Sequence, residues 1–172
     1  MRAERQAYLA QREQDALANV VFLAAMHEAG HALAYTLLGV GVEYATVERK
    51  TVEHGGQQAF SSGFTQPLPH PLTKETIERE AICVMAGPAA EDAFNGQEPS
   101  GSHGDIDNLR QYAEHVGLSL VEAGKLVKRA YGAACDLVDS HMDATKKIAF
   151  ELMTKGRIER NAVEAIVKGT AR

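Results

Sequence analysis

His27 and His31 stand four residues apart, with Glu28 next to the first, in the segment His27-Glu28-Ala29-Gly30-His31. On a helix, residues i and i+4 share one face, one turn above the other. Two imidazoles so placed reach one ion at Zn–N distances of about 2.0–2.1 Å. Glu28 is rotated by about 100° from His27, one helical step. It can stand beside the ion without ligating it. There it can take a proton from a metal-activated water and pass it to a leaving amine. The chemistry implied is metal-assisted hydrolysis of an amide bond.

The context strengthens this reading. Phe22, Leu23 and Met26 precede the segment, and Leu33, Leu37 and Leu38 follow it. Two histidines and a carboxylate on such an apolar helix are costly unless something satisfies them. Ala29 and Gly30 are small enough for close helix packing and substrate approach. A catalytic zinc takes three protein ligands and leaves one position for water. Candidates for the third are Glu91, Asp105, Asp107, His103 and His70. Glu91 lies in an apolar helical pattern that calls for a partner. Asp105 follows a Gly/Ser stretch at an expected helix start, where Asp also serves as a plain N-cap. Position alone does not separate Glu91 from Asp105.

The elements that must position these groups read as follows. Residues 1–19 are charged and helix-favouring, and form an expected N-terminal helical arm. A second unit, residues 20–172, carries the chemistry. Val20 to Leu38 is a largely buried helix stopped by Gly39 and Gly41. Tyr44 to Glu48 alternates as a strand, His54-Gly55-Gly56 is a turn, and Gln57 to Phe64 is a second strand. Gln66 to Pro71 is an extended loop. Thr73 caps a helix running from Thr76 to Phe94, which Gly87-Pro88 kinks or splits. Asn95 to Gly104 is a loop, and Asp105 or Asp107 caps the helix after it. Ser119 to Ser140 and His141 to Lys155 form a helical hairpin, and Asn161 caps a last short helix. The expected fold class is predominantly α with a small β-sheet (α+β). The Glu75-Glu78-Arg79-Glu80 cluster reads as a solvated helix face, and His70, among prolines, as a lesser candidate for the substrate cleft.

Several of these segments, in order, resemble the peptidase domain of the FtsH family of zinc metalloproteases. His27-Glu28-Ala29-Gly30-His31-Ala32 is similar to the family's HEAGHA. Gly55-Gly56, followed by an aromatic-containing strand and Pro67, is similar to its GG-aromatic segment. Cys83 to Phe94 resembles its GGRAAEE helix, and Ser100 to Ile106 its TGAxxDL segment. The similarity spans roughly residues 20 to 168. It implies an FtsH-type fold, with His27, His31 and Asp105 as ligands of Zn2+ and Glu28 as catalytic base. It implies that Glu91 orients a ligand histidine from behind, and that an edge strand near residues 56 to 64 holds extended substrate. The family joins this domain to an ATPase module and membrane helices. The 172 residues here contain no GxxxxGK[ST] phosphate-binding loop, and the family's arginine in GGRAAEE is replaced around Gly87-Pro88.

The expectation is therefore a zinc metalloendopeptidase that cleaves peptides or unfolded protein segments, ATP-independent on its own. A homo-oligomer and a separate ATPase partner are left open. Two other classes fit the same residues: a non-catalytic peptide-binding or regulatory module, and a small HExxH peptidase that cleaves one specific regulator. Net charge is -5 and no long basic run occurs, which argues against nucleic acid as the main partner. The most apolar stretch, Val20 to Val42, is interrupted by His27, Glu28 and His31, which argues against membrane insertion. Cys83 and Cys135 form no CxxC pair, so buried thiols and a reduced, cytoplasmic location are expected.

Overall fold

The computed structural model describes residues 2–52, 58–96 and 102–170, with side chains in 19–48, 62–96 and 104–170. The chain begins with one helix, α1 (Arg2–Leu37), of 36 residues, about 54 Å long at 1.5 Å per residue. The expected arm and the expected core helix are thus a single uninterrupted helix. Its end is a turn in which the Val40 and Gly41 N–H groups donate to the Tyr35 carbonyl. Gly39 and Gly41 take φ of 77° and 81°, a left-handed backbone that glycine adopts without a Cβ penalty.

The turn feeds β1 (Val42–Val52), which pairs antiparallel with β2 (Gln58–Pro67) from Val42↔Pro67 to Val52↔Gln58. The expected turn at His54-Gly55-Gly56 lies outside the described residues. A third strand, β3 (Arg157–Glu159), pairs with the other side of β1 through Ala45↔Ile158, so the order is β2-β1-β3. That leaves β2 as an edge strand. Ala45, Val47 and Ile158 are buried, Tyr44 and Thr46 only partly so, and Glu48 is exposed, the alternation of a sheet covered on one face.

Helix α2 (Ile77–Asn95) starts within one residue of the expected Thr76, with Thr76 at its N-cap position. Thr73 does not cap it. Residues 73–76 form a turn of their own, in which the Thr73 N–H donates to Thr76 Oγ1 at 2.9 Å. The helix also runs through Pro88 instead of splitting there. Residues 83–91 of α2 are all buried, and packing against α1 and later helices outweighs the roughly 3 kcal/mol that an interior proline costs. Helix α3 (Ser102–His115) begins before Asp105. Asp105 and Asp107 therefore sit inside the helix, not at its cap. The helix thus takes in Ser102, His103 and Gly104, the end of the stretch whose Gly/Ser composition favoured a loop.

Ser119 opens α4 (Leu120–Ser140) through a reciprocal capping box with Glu122. Helix α5 (Met142–Lys155) follows, and Gly156 at φ 74° ends it. After β3, α6 (Arg160–Thr170) begins directly, so Asn161 is an internal residue and not a cap. The core is shared by α1 and the C-terminal elements: Met26, Leu33, Leu126, Ile148, Leu152 and Val163 are all fully buried. Burying each such side chain contributes about 1.5–3 kcal/mol. The architecture is mostly helical with a small three-stranded antiparallel sheet. Cys83 is buried, Cys135 partly so, and both are free thiols. Among the described residues no helix is long and apolar enough to cross a membrane.

Candidate metal centre

Helices α1 and α2 meet along two facing stripes. His27, His31 and Tyr35 follow one another at i+4 on α1. Glu80, Cys83, Gly87 and Glu91 face them on α2. Three polar rungs cross the seam. His27 Nδ1 lies 3.2 Å from Glu91 Oε2. His31 Nδ1 lies 2.9 Å from the Cys83 carbonyl oxygen. The Tyr35 hydroxyl donates to Glu80 Oε1 at 2.7 Å. The close approach depends on Gly30, where an added Cβ would fall 2.1 Å from the Ala86 carbonyl oxygen.

These rungs fix the imidazole tautomers. A carbonyl only accepts, so the hydrogen of neutral His31 sits on Nδ1. A carboxylate only accepts, so His27 Nδ1 donates to Glu91. Both Nε2 atoms then present lone pairs to the same point, 3.1 Å apart. Asp105, on the first turn of α3, brings its carboxylate there. Its Oδ2 is 3.0 Å from His27 Nε2 and its Oδ1 is 3.6 Å from His31 Nε2. Asp105 Oδ2 is buried and has no hydrogen-bond partner. Its 3.0 Å approach to His27 Nε2 is an ion-pair contact.

Three acceptor atoms from His27, His31 and Asp105 thus converge within 4.8 Å of one another. Tetrahedral ligands about 2.0–2.2 Å from a zinc ion stand roughly 3.3–3.6 Å apart. The two Nε2 atoms are 3.1 Å apart, and each lies 3.0 or 3.6 Å from a different oxygen of Asp105, close to that spacing. The orphaned carboxylate oxygen is a second sign of fit, since a buried anion needs a cation or a donor. Without a metal, a proton does this work. Burial is the largest influence on His27 and disfavours its charged form. The carboxylates of Asp105 and Glu91, helped by Glu28, override it and raise the imidazole to about 10.

Glu28 stands beside this point with its side chain buried. Thr65 on β2 holds it: Thr65 Oγ1 donates to Glu28 Oε2 at 2.7 Å, with the Glu28 carbonyl oxygen 3.1 Å away. Gly63, two residues earlier on β2, leaves room for that side chain; a Cβ there would fall 2.3 Å from Glu28 Cγ. All four groups open into a cleft of about 560 Å³, bounded by residues 63–67 of β2 and by α3.

His27, Glu28, His31, Asp105 and Glu91 therefore come together. Asp107 is exposed and pairs with Arg110 on the outer face of α3. The His103 side chain lies outside those described. His70 lines the cleft but not the metal point: its Nε2 is 2.6 Å from Glu80 Oε2 and its Nδ1 2.8 Å from the Leu68 carbonyl oxygen. Glu80 corrects an expectation. It is not on a solvated face but only 5% exposed, because it turns inward to Tyr35 and His70. Tyr35 and Tyr112 also line the cleft. Both stood at readable offsets, Tyr35 one turn beyond His31 and Tyr112 two turns beyond Asp105. Thr65 carried no such signal.

No family model and no curated protein matches the chain.

Proposed function

We propose that the chain is a zinc-dependent endopeptidase with an FtsH-type peptidase fold. The observation that carries this reading is the convergence of His27, His31 and Asp105 on one point, with Glu28 beside it. A divalent ion there supplies a polarised carbonyl and a water acidified to a pKa of about 7. Everything else falls to side chains and backbone. His27, His31 and Asp105 hold the ion. Glu91 and the Cys83 carbonyl hold the two imidazoles in the tautomer that points Nε2 inward. Glu28 takes the proton of the attacking water and returns it to the nitrogen of the leaving amine. Thr65 keeps its carboxylate aimed at that path.

The edge strand β2 borders the cleft through Gly63, Phe64, Thr65, Gln66 and Pro67. An extended peptide laid along it would be bound by main-chain hydrogen bonds. The substrates proposed are accordingly peptides or unfolded segments, cleaved without ATP by this chain alone. The two free thiols suit a reducing, cytoplasmic setting. A peptide-binding module without turnover would leave the buried Glu28 and its Thr65 contact without a task, so the enzymatic reading is preferred.

The test is metal content per chain beside cleavage of an unfolded substrate. About one zinc per chain is expected, lost in His27→Ala and Asp105→Ala. Glu28→Gln should keep the metal and lose cleavage. Cleavage retained by Glu28→Gln would overturn the mechanism, and absence of zinc after reconstitution would overturn the metal site.

A further inference from the structure

The side-chain donors of the cleft can be counted one by one. Thr65 donates to Glu28. Tyr35 donates to Glu80. Gln66 Nε2 donates to the Pro67 carbonyl oxygen. Both nitrogens of His70 are engaged, with the Leu68 carbonyl oxygen and with Glu80. Both Nε2 atoms of His27 and His31 belong to the metal point. Among the described residues lining the cleft, three side chains then keep an unspent donor: Gln66, whose amide has a second hydrogen, Asn108 and Tyr112. Gln66 belongs to the edge strand β2, on the side where substrate would lie. Asn108 is exposed, on the open side of the cleft. Tyr112 is half-buried and its ring packs on the core.

Tyr112 is seven residues beyond Asp105 on α3, two turns along the same face. Helical side chains lean toward the N-terminus of their helix, here toward Asp105 and the metal point. Burial first, then the charges of Glu80 and Asp105, raise the Tyr112 phenol above its usual range. The hydroxyl therefore keeps its proton and acts as a donor, not a base.

We infer that Tyr112 is a catalytic residue of the peptidase, donating a hydrogen bond to the scissile carbonyl oxygen as negative charge develops on it. This rests on the peptidase reading above. In the step concerned, the water oxygen bonds to the carbonyl carbon and the C=O π pair moves onto oxygen. Glu28 receives the water's proton. The Tyr112 proton stays on Tyr112, and its hydrogen bond strengthens as the oxygen becomes an anion. In a partly desolvated cleft such a donor acts mainly in the transition state.

Tyr112→Phe deletes one oxygen and keeps the packed ring. In the zinc-loaded 172-residue chain three quantities are read: metal per chain, kcat and KM on a peptide, and the affinity of a phosphonamidate peptide by calorimetry. The phosphonamidate mimics the tetrahedral oxyanion. Expected are unchanged metal content, kcat lower by about 100-fold with KM nearly constant, and phosphonamidate binding weakened by a similar factor. The uncleaved parent peptide, measured on the Glu28→Gln background, should bind equally with and without Tyr112→Phe. A purely structural tyrosine would not separate the mimic from the parent peptide. If wild type cleaves and Tyr112→Phe cleaves equally and binds the mimic equally, the Tyr112 inference falls and the peptidase reading stands. If wild type neither cleaves nor binds the phosphonamidate, both fall.

Discussion

Gly87 of α2 lies directly against the imidazole of His31, so closely that a Cβ at position 87 would sit 2.3 Å from His31 Nε2. The spot is fully packed, and His31 cannot step aside without leaving the Cys83 carbonyl that fixes its tautomer. Gly87→Ala therefore attacks the centre without touching a ligand. The expected result is at least a ten-fold loss of zinc affinity, the usual cost of disturbing a group that orients a ligand, with about 1–3 kcal/mol of overpacking strain. Competition against a fluorescent chelator measures the first and urea denaturation the second. An unchanged zinc affinity would show that His31 does not ligate from this position.

Glu91 tests the opposite side of the same centre. Its Oε2 receives the His27 Nδ1 hydrogen at 3.2 Å from within a buried environment. Glu91→Gln keeps the size and removes the charge that strengthens the imidazole as a donor of electrons to a metal. Zinc affinity is expected to fall about 10–100-fold, with kcat per bound zinc reduced far less than in Glu28→Gln. Equal losses of affinity in Glu91→Gln and in an exposed control such as Glu114→Gln would remove the orienting role.

These two positions also mark what could be read in advance. His27, Glu28 and His31 were legible because one helical repeat places them together, and no tertiary knowledge is needed. Position alone did not separate Asp105 from Glu91. Only the crossing of α1, α2 and α3 puts one on the Nε2 side of His27 and the other on the Nδ1 side. Gly87 was readable as a helix-weakening residue next to Pro88, but its function is steric room for a side chain 56 positions earlier, which has no local signature. Glu80 was masked by its charged neighbours, since Glu75 and Glu78 do face solvent. β3 is three residues long, too short to show an alternation. Thr65 depends on strand register, which a sequence does not fix when the joining turn is uncertain.

Protons and metal compete for the same three acceptors. His27 has an ordinary value of 6.5 and rises to about 10 in the fold. A raised folded value contributes stability that is complete below 6.5 and is lost as pH climbs through about 10. Protein stripped of metal by a chelator should accordingly lose thermal stability across that window, and His27→Gln should flatten the loss. A divalent ion displaces the same proton. Adding zinc to the stripped protein near pH 8 should release about one proton per chain, read with an indicator dye. Zinc uptake with no proton release would mean that His27 is neutral before the ion arrives, and would refute the shared-acceptor account.

Glu80 ties three segments together through one carboxylate. Its two oxygens engage Tyr35 on α1 and His70 on the proline-rich segment after β2, while its own backbone belongs to α2. Burial, reinforced by the Glu80 charge, keeps the Tyr35 phenol protonated well above the usual range for tyrosine. Glu80→Ala strips partners from a buried hydroxyl and a buried imidazole at once. Breaking a buried pair in this way costs about 3–5 kcal/mol, which for a chain of this size lowers Tm by roughly 6–20 °C. The larger consequence is local. Residues 66–72 lose their anchor to α2, and amide exchange there should quicken more than in α5 or α6, which do not touch Glu80. Glu80→Gln, which can still accept from Tyr35, should recover part of the Tm. Uniform exchange acceleration across the whole chain, without excess at 66–72, would mean that Glu80 stabilises the fold generally and does not clamp this wall of the cleft.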